Sequence, residues 1–237
     1  MINTVLFDLD GTLLPIDMED FEKIYYRSIT NKFIDIISPE KLLYIMGESL
    51  KSMIANTEMI SNEDAFMNTL KTFIKESEFE EYQQRFTDFY ENEFIVLKQV
   101  VKPNKSIQKA VRVLKEKGYD CIVATNPMFP KLAITKRIEW AGFNRSDFSY
   151  VTSFEENHFC KPQIDYYKEV LEANNKKAEE CLMVGNDQIE DLIATTLGIS
   201  TYFITDHALY RENGFEGDYQ GDYQSFLDFV EALPTLK

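Results

Sequence analysis

Asp8 and Asp10 stand one residue apart at the end of the apolar run Val5-Leu6-Phe7, and Gly11 and Thr12 follow them. In an extended chain alternate side chains share a side, so the two carboxylates lie together. Like charges that close repel, and each raises the other's pKa unless a cation or hydrogen-bond donors intervene. A turn accounts for one of them, because Asp-Gly is a common turn pair; the second asks for a functional reason. Other reactive residue types recur in the same local setting. Thr125 and Asn126 follow the run "IVA", Asn186, Asp187 and Asp191 follow "LMVG", and Lys161 stands in the loop "HFCKP". Read singly, each has a structural use: Thr125 can cap a helix beginning near Pro130, Lys161 can be a surface lysine, and Asp187 and Asp191 can sit in a first helical turn, where the dipole favours acids.

To act together these residues need a scaffold that collects strand ends. Short apolar runs cover Thr4–Phe7, Asp120–Ala124, Cys181–Val184 and Ser200–Ile204, with a weaker run at Phe148–Thr152. Continuous apolar runs suit strands buried on both faces of a parallel sheet. Helical patterns lie between them. Ser106–Gly118 carries Ile107, Ala110, Val111 and Leu114 on one face and ends on Gly. Pro130–Gly142 starts with Pro and ends with Gly, and "QIDYYKEVLEANN" and "DLIATTLG" follow the same logic. Alternating strands and helices predict an α/β fold with a mostly parallel sheet. Open parallel sheets bind ligands beyond the carboxyl ends of their strands, which is where all the residues above fall.

Residues 16–98 break this rhythm, and no strand is expected there. Ser38, Pro39 and Glu40 form a helix start, Ser61 and Asp64 have capping-box spacing, and Phe79, Tyr82, Phe86, Phe89 and Tyr90 share one helical face. This stretch reads as a four-helix insertion with its own small core, in which the aromatic stripe is packing. The tail "GDYQGDYQSFLDFVEALP" reads as a turn and a terminal helix.

Composition narrows the partners. The chain has 237 residues with 44% hydrophobic and 27% charged content, enough for a sizeable core in one large or two modest domains. Forty acids against 25 Lys and Arg give a net charge of −15, which repels nucleic acid and anionic membranes in general. A bound cation can still reverse the field locally, so an anionic substrate is not excluded. Three scattered cysteines without a CxxC pair point to a reducing compartment and no zinc cluster. With no signal peptide and no apolar stretch long enough to span a bilayer, a cytoplasmic location is expected.

The set Asp8-Leu9-Asp10-Gly11-Thr12, Thr125, Lys161-Pro162 and "VGNDQIED" resembles the four motifs of the haloacid dehalogenase-like hydrolases, in the family's order and across essentially the whole chain. The resemblance implies a three-layer Rossmann-like core from residues 1–15 and 99–237, with residues 16–98 as a helical cap. It implies that Asp8 is a nucleophile forming an acyl-phosphate, and that Asp10 protonates the leaving oxygen and then deprotonates water. Thr125, Asn126 and Lys161 would hold the phosphoryl group. Mg²⁺ would be held by Asp8, the Asp10 carbonyl and Asp187, with Asn186 and Asp191 in support. The family often shows Gly-Asp where this chain has Gly185-Asn186-Asp187. Asp187 is favoured for its charge, but the reverse register, with Asn186 as ligand, stays open. Family dehalogenases lack the second Asp, phosphonate cleavers usually lack it too, and no histidine of the sugar-mutase kind stands near Asp17–Phe21. The resemblance therefore implies a phosphomonoester hydrolase acting on a small phosphorylated metabolite. A phosphosugar mutase or phosphotransferase, and a non-catalytic phosphate sensor, are the alternatives. Phe154, Glu155, Asn157 and His158 are specificity candidates, and Cys160 is a bystander.

Overall fold

A computed structural model describes residues 1–236. Its centre is a six-stranded parallel sheet made from β1 (Thr4–Phe7), β2 (Asp120–Val123), β3 (Tyr150–Val151), β4 (Cys181–Gly185), β5 (Ser200–Ile204) and β6 (Tyr219–Gly221), in the order β3-β2-β1-β4-β5-β6. The apolar runs are continuous because both faces are covered. Val5 and Phe7 pack with α5 (Lys105–Glu116), α6 (Lys131–Trp140) and α8 (Tyr223–Ala232). Leu6, between them, turns the other way and packs with α7 (Ile164–Ala173) and the 3₁₀ turn Leu192–Leu197. The result is three layers.

Strand β1 lies between β2 and β4, where the strand order reverses. Phe7 is level with Val123 on one side and Val184 on the other. Asp8 and Ala124 therefore leave the sheet together, level with Gly185 at the end of β4, at its carboxyl edge, the usual ligand position of such sheets.

Residues 18–100 hold no strand. The segment comprises α1 (Met18–Phe33), α2 (Pro39–Ile54), α3 (Asn62–Lys71) and α4 (Phe79–Asp88), and continues through a π turn (Phe89–Glu93) into a 3₁₀ helix (Phe94–Val100). Asp17, Ser38 and Ser61 cap the first three helices, their side chains accepting from Asp20, Lys41 and Asp64 N–H. The π turn re-phases the helix, so that Tyr82, Phe86, Phe89, Tyr90, Phe94 and Leu97 are all buried. The two chain connections run side by side: Ile16 bridges Val101 in antiparallel fashion, and Lys102 N–H donates to the Pro15 carbonyl at 3.2 Å.

Three sequence expectations change. The buried face of the helical segment does not close a core of its own. Phe21, Tyr25, Phe33 and Phe94 belong to the same apolar cluster as Val5 and Phe7. The stretch "DLIATTLG" forms a 3₁₀ turn ending on Gly198 at φ +82°, since Ile193, Thr195 and Thr196 are poor helix formers. The stretch before α8, expected as a turn, contains β6, a polar three-residue edge strand without the apolar run that marks buried strands.

Candidate active site

Asp8 follows β1 directly and is buried, with its N–H donating to the Val184 carbonyl at 2.9 Å. Opposite it lies Lys161, 153 residues away in sequence, its ammonium fully enclosed. Lys161 Nζ donates to Asp8 Oδ1 at 2.9 Å and to Asp191 Oδ1 at 2.6 Å. One cation thus serves two buried carboxylates, and Glu190 adds a third acid nearby. Burial dominates the acids: it pushes Asp8 up to about 6 against the pull of Lys161, and Glu190 and Asp191 up to about 7. Burial alone would lower the Lys161 ammonium, but Asp191 and Asp8 outweigh it and hold it well above the usual lysine range. The group carries surplus negative charge in a dry setting, and a further cation would relieve it.

Gly185 ends β4 and has no side chain because a Cβ there would overlap the Asp191 carboxylate. Asp191 Oδ2 also accepts from Asp187 N–H at 2.9 Å, so this loop folds back onto its own fourth residue. Gly11, at φ +82°, closes the turn after Asp10 and lies flat against the Asn186 amide. Asn186 Oδ1 accepts from Thr12 Oγ1 at 3.2 Å, and its Nδ2 donates to the His207 carbonyl at 2.7 Å.

Asp187 has other commitments. Its Oδ1 accepts from Ile189 and Glu190 N–H at 2.8 and 3.0 Å, and its Oδ2 accepts from Arg211 Nη2 and Nε at 2.6 and 3.0 Å. For Asp187 to ligate a metal, Arg211 has to release it. Asn126 is also engaged: it brackets Lys161, accepting from its N–H at 3.2 Å and donating to its carbonyl at 3.3 Å, and it donates to Glu190 at 3.0 Å. The Thr125 carbonyl is fixed by the hydroxyls of Thr152 and Tyr166 at 2.7 and 2.8 Å.

Asp10 meets a residue that the sequence reading missed. Arg137 in α6 is fully buried, donates through Nη1 to Asp10 Oδ2, and lies 4.4 Å from the Phe129 ring centroid. Asp10 Oδ1, and Nε and Nη2 of Arg137, are buried without a hydrogen-bond partner among the described residues. Groups left unpaired in this way are costly, and they point to a site that awaits further partners. The clue in the sequence is a charged residue on the buried face of α6, in register with Ala133, Ile134 and Ile138. Glu190 and Arg211 carry no such clue, since one sits in an acidic run and the other in a loop.

Of the specificity candidates, Phe154 and Glu155 border a cavity beside α1–α4. Asn157 is internal, linking Ser153 N–H and the Tyr150 hydroxyl. His158 Nδ1 lies 2.6 Å from Glu169 Oε1, which ties it to α7. Cys160 is buried among Met53, Ala65 and Phe154, and burial drives its thiol up to about 12, which suits a bystander.

Among the described residues, no three His, Cys, Asp or Glu side chains come close enough to hold a metal by themselves. The oxygen donors that the turn after β1 and the loop after β4 offer are of mixed kind: the Asp8 carboxylate, backbone carbonyls, and the Asn186 amide, whose Oδ1 now accepts from Thr12. Such a set fits a hard cation of the Mg²⁺ kind, which takes few protein ligands and keeps waters. No helix among these residues is long and apolar enough to cross a membrane.

Comparison with known proteins places the chain in a family. The chain is 27% identical over 213 residues to a glyceraldehyde 3-phosphate phosphatase of Methanothermobacter thermautotrophicus, covering 86% of each chain. It is 24% identical over 200 residues to a pyrophosphatase of Bacillus cereus, covering 84% of this chain and 82% of the other. Among solved structures, a 2-haloacid dehalogenase from Pseudomonas syringae superposes with a TM-score of 0.67 at 19% identity, over 98% of this chain and 99% of that one. A phosphatase from Thermococcus onnurineus superposes with a TM-score of 0.61 at 18% identity, over 99% and 100%. At these identities the two structures speak for the fold alone. The family model described as haloacid dehalogenase-like hydrolase matches residues 2–195, and the chain belongs to that family of hydrolases.

Proposed function

We propose that the protein is a Mg²⁺-dependent hydrolase of small phosphomonoesters, with Asp8 as nucleophile and residues 16–98 as a helical cap over the site. The observation that carries this reading is the Lys161 ammonium, held between Asp8 and Asp191 at the sheet edge. It lets an anionic carboxylate face an anionic phosphoryl group. Sequence relatives named as a phosphatase and a pyrophosphatase support phosphoryl chemistry.

In this reading Asp8 attacks phosphorus, the bond to the leaving oxygen breaks, and an acyl-phosphate remains on Asp8. Arg137 occupies Oδ2 of Asp10, which leaves Oδ1 to carry the mobile proton. Asp10 gives that proton to the leaving oxygen and then takes one from the water that attacks phosphorus. Phosphate departs and the Asp8 carboxylate is restored. Mg²⁺, held by Asp8, the Asp10 carbonyl and Asn186, would neutralise phosphoryl charge when bound. Asp187 would join only on releasing Arg211. Lys161 and the hydroxyl of Thr125 hold phosphoryl oxygens, and Asn126 fixes Lys161.

The test is phosphate release from p-nitrophenyl phosphate with Mg²⁺ and with chelator. Release should need the metal and should fall by at least about 10⁴-fold in Asp8→Asn, as for loss of other nucleophiles. A product phosphorylated at a new position would mark a phosphotransferase or mutase instead. Phosphate binding without turnover would mark a sensor.

A further inference from the structure

A cavity of about 660 Å³ opens between α1–α4 and the loop after β2, within the size range of small-molecule sites. Phe21, Met46, Phe66, Met67, Phe129 and Phe154 form its apolar wall. Tyr25 and Tyr90 border it too, but their hydroxyls bond each other at 2.8 Å, which leaves ring surface toward the space. The charged groups on the lining are Glu22, Glu63 and Glu155, and no Lys, Arg or His lines it among the described residues. Burial first, and then the charges of Glu155 and Asp64, raise the Glu63 carboxyl.

Two stacked side chains, Phe129 and Arg137, link the cavity wall to Asp10. Phe129 lines the cavity, and the Phe129 ring carries the Arg137 guanidinium, which holds Asp10. The cavity therefore lies on the Arg137 side of Asp10.

Building on the phosphatase reading, we propose that the cavity seats the leaving group of the substrate, and that this group is an aryl or alkyl moiety without a second anionic charge. A second phosphate or a carboxylate would leave water for an apolar wall whose charged neighbours are all acids, Glu63 and Glu155 half-buried and Glu22 exposed at the rim, a costly transfer. An apolar group gains from burial against the rings and methionines.

The test compares kcat/KM for 1-naphthyl phosphate with that for 2-phosphoglycolate and for pyrophosphate. The aryl ester should be favoured by about 100-fold or more, as expected when a site leaves a buried charge unpaired. Gly47 provides a second probe, because it lines the cavity and a Cβ there meets nothing within 4 Å. Gly47→Trp fills the space and should lower the kcat/KM ratio of 1-naphthyl phosphate to acetyl phosphate by about tenfold or more. Binding of 1-naphthyl phosphate to Asp8→Asn, measured by calorimetry, should weaken in the same proportion when Gly47→Trp is added. If the anionic esters are turned over as well as the aryl ester, or the ratio survives Gly47→Trp, the cavity assignment is overturned and the phosphatase reading stands. If no ester is turned over, the phosphatase reading fails. Calorimetry then still decides whether the aryl ester occupies the cavity.

Discussion

Arg137 is an unusual side chain to find with no solvent exposure, and its burial makes sense only through Asp10 and Phe129. Its guanidinium occupies one Asp10 oxygen and leaves the other free, so in the proposed reaction it would be a positioning residue for the acid–base step. Arg137→Met should reduce kcat roughly 100-fold, the usual worth of a general acid–base group, while KM changes little. Arg137→Lys should recover part of the loss by restoring charge without the fork. Steady-state kinetics on variants checked by circular dichroism decides the matter. Equal loss in both variants, with the fold intact, would rule out charge as the cause. The same residue marks a limit of sequence reading. Asp8, Asp10, Thr125 and the acids after β4 were legible because each follows an apolar run, and Lys161 because Lys161-Pro162 fits the third motif of the resemblance. Arg137 was missed because it sits mid-helix, away from any strand end, with only its place on the buried face of α6 to mark it.

At the scale of elements, the carboxyl edge works because β1, β2 and β4 stop level with one another. This was readable from the short apolar runs, as were α5, α6 and α7 from their periodicity. The edge strand β6 escaped notice because its residues are polar and its pairing is non-local. The π turn after α4 escaped because a re-phased aromatic stripe still looks regular in sequence. The end of β4 depends on Gly185, since any side chain there intrudes on Asp191. Gly185→Ala should push Asp191 off Lys161, costing about 1–3 kcal/mol of stability, as overpacking does. Activity should fall with it. Urea unfolding measures the first and phosphate release the second. A variant with unchanged stability would mean that the loop shifts freely, contrary to its bond from Asp187 N–H.

Across the whole molecule, the buried acids link stability to pH. Asp8 at about 6, with Glu190 and Asp191 at about 7, all stand above the usual carboxylate range. Between pH 4 and 7 the folded chain therefore binds more protons than the unfolded one, and stability is lost as pH rises through this window. The raised Lys161 acts in the opposite regime, contributing until pH climbs past the ordinary lysine range. The acids held low, such as Asp35 and Asp147, matter only below about pH 4. With chelator present, the melting temperature should rise by several degrees as pH falls from 8 to 6. Adding Mg²⁺ should flatten this slope, because a cation offsets the same surplus charge. Calorimetric scans across that range provide the check, and a melting temperature that drops toward pH 6 would contradict the charge balance assigned to the site.

The paired connections at Ile16–Val101 and Pro15–Lys102 have a mechanical corollary. Two chain segments stitched to each other behave as a single leaf, so any swing of the helical half turns on one axle instead of two loose tethers. That axle stands only six residues beyond Asp10. A wide gape at the far rim then moves the carboxylates very little, much as a door's edge sweeps far while its hinge post stays put.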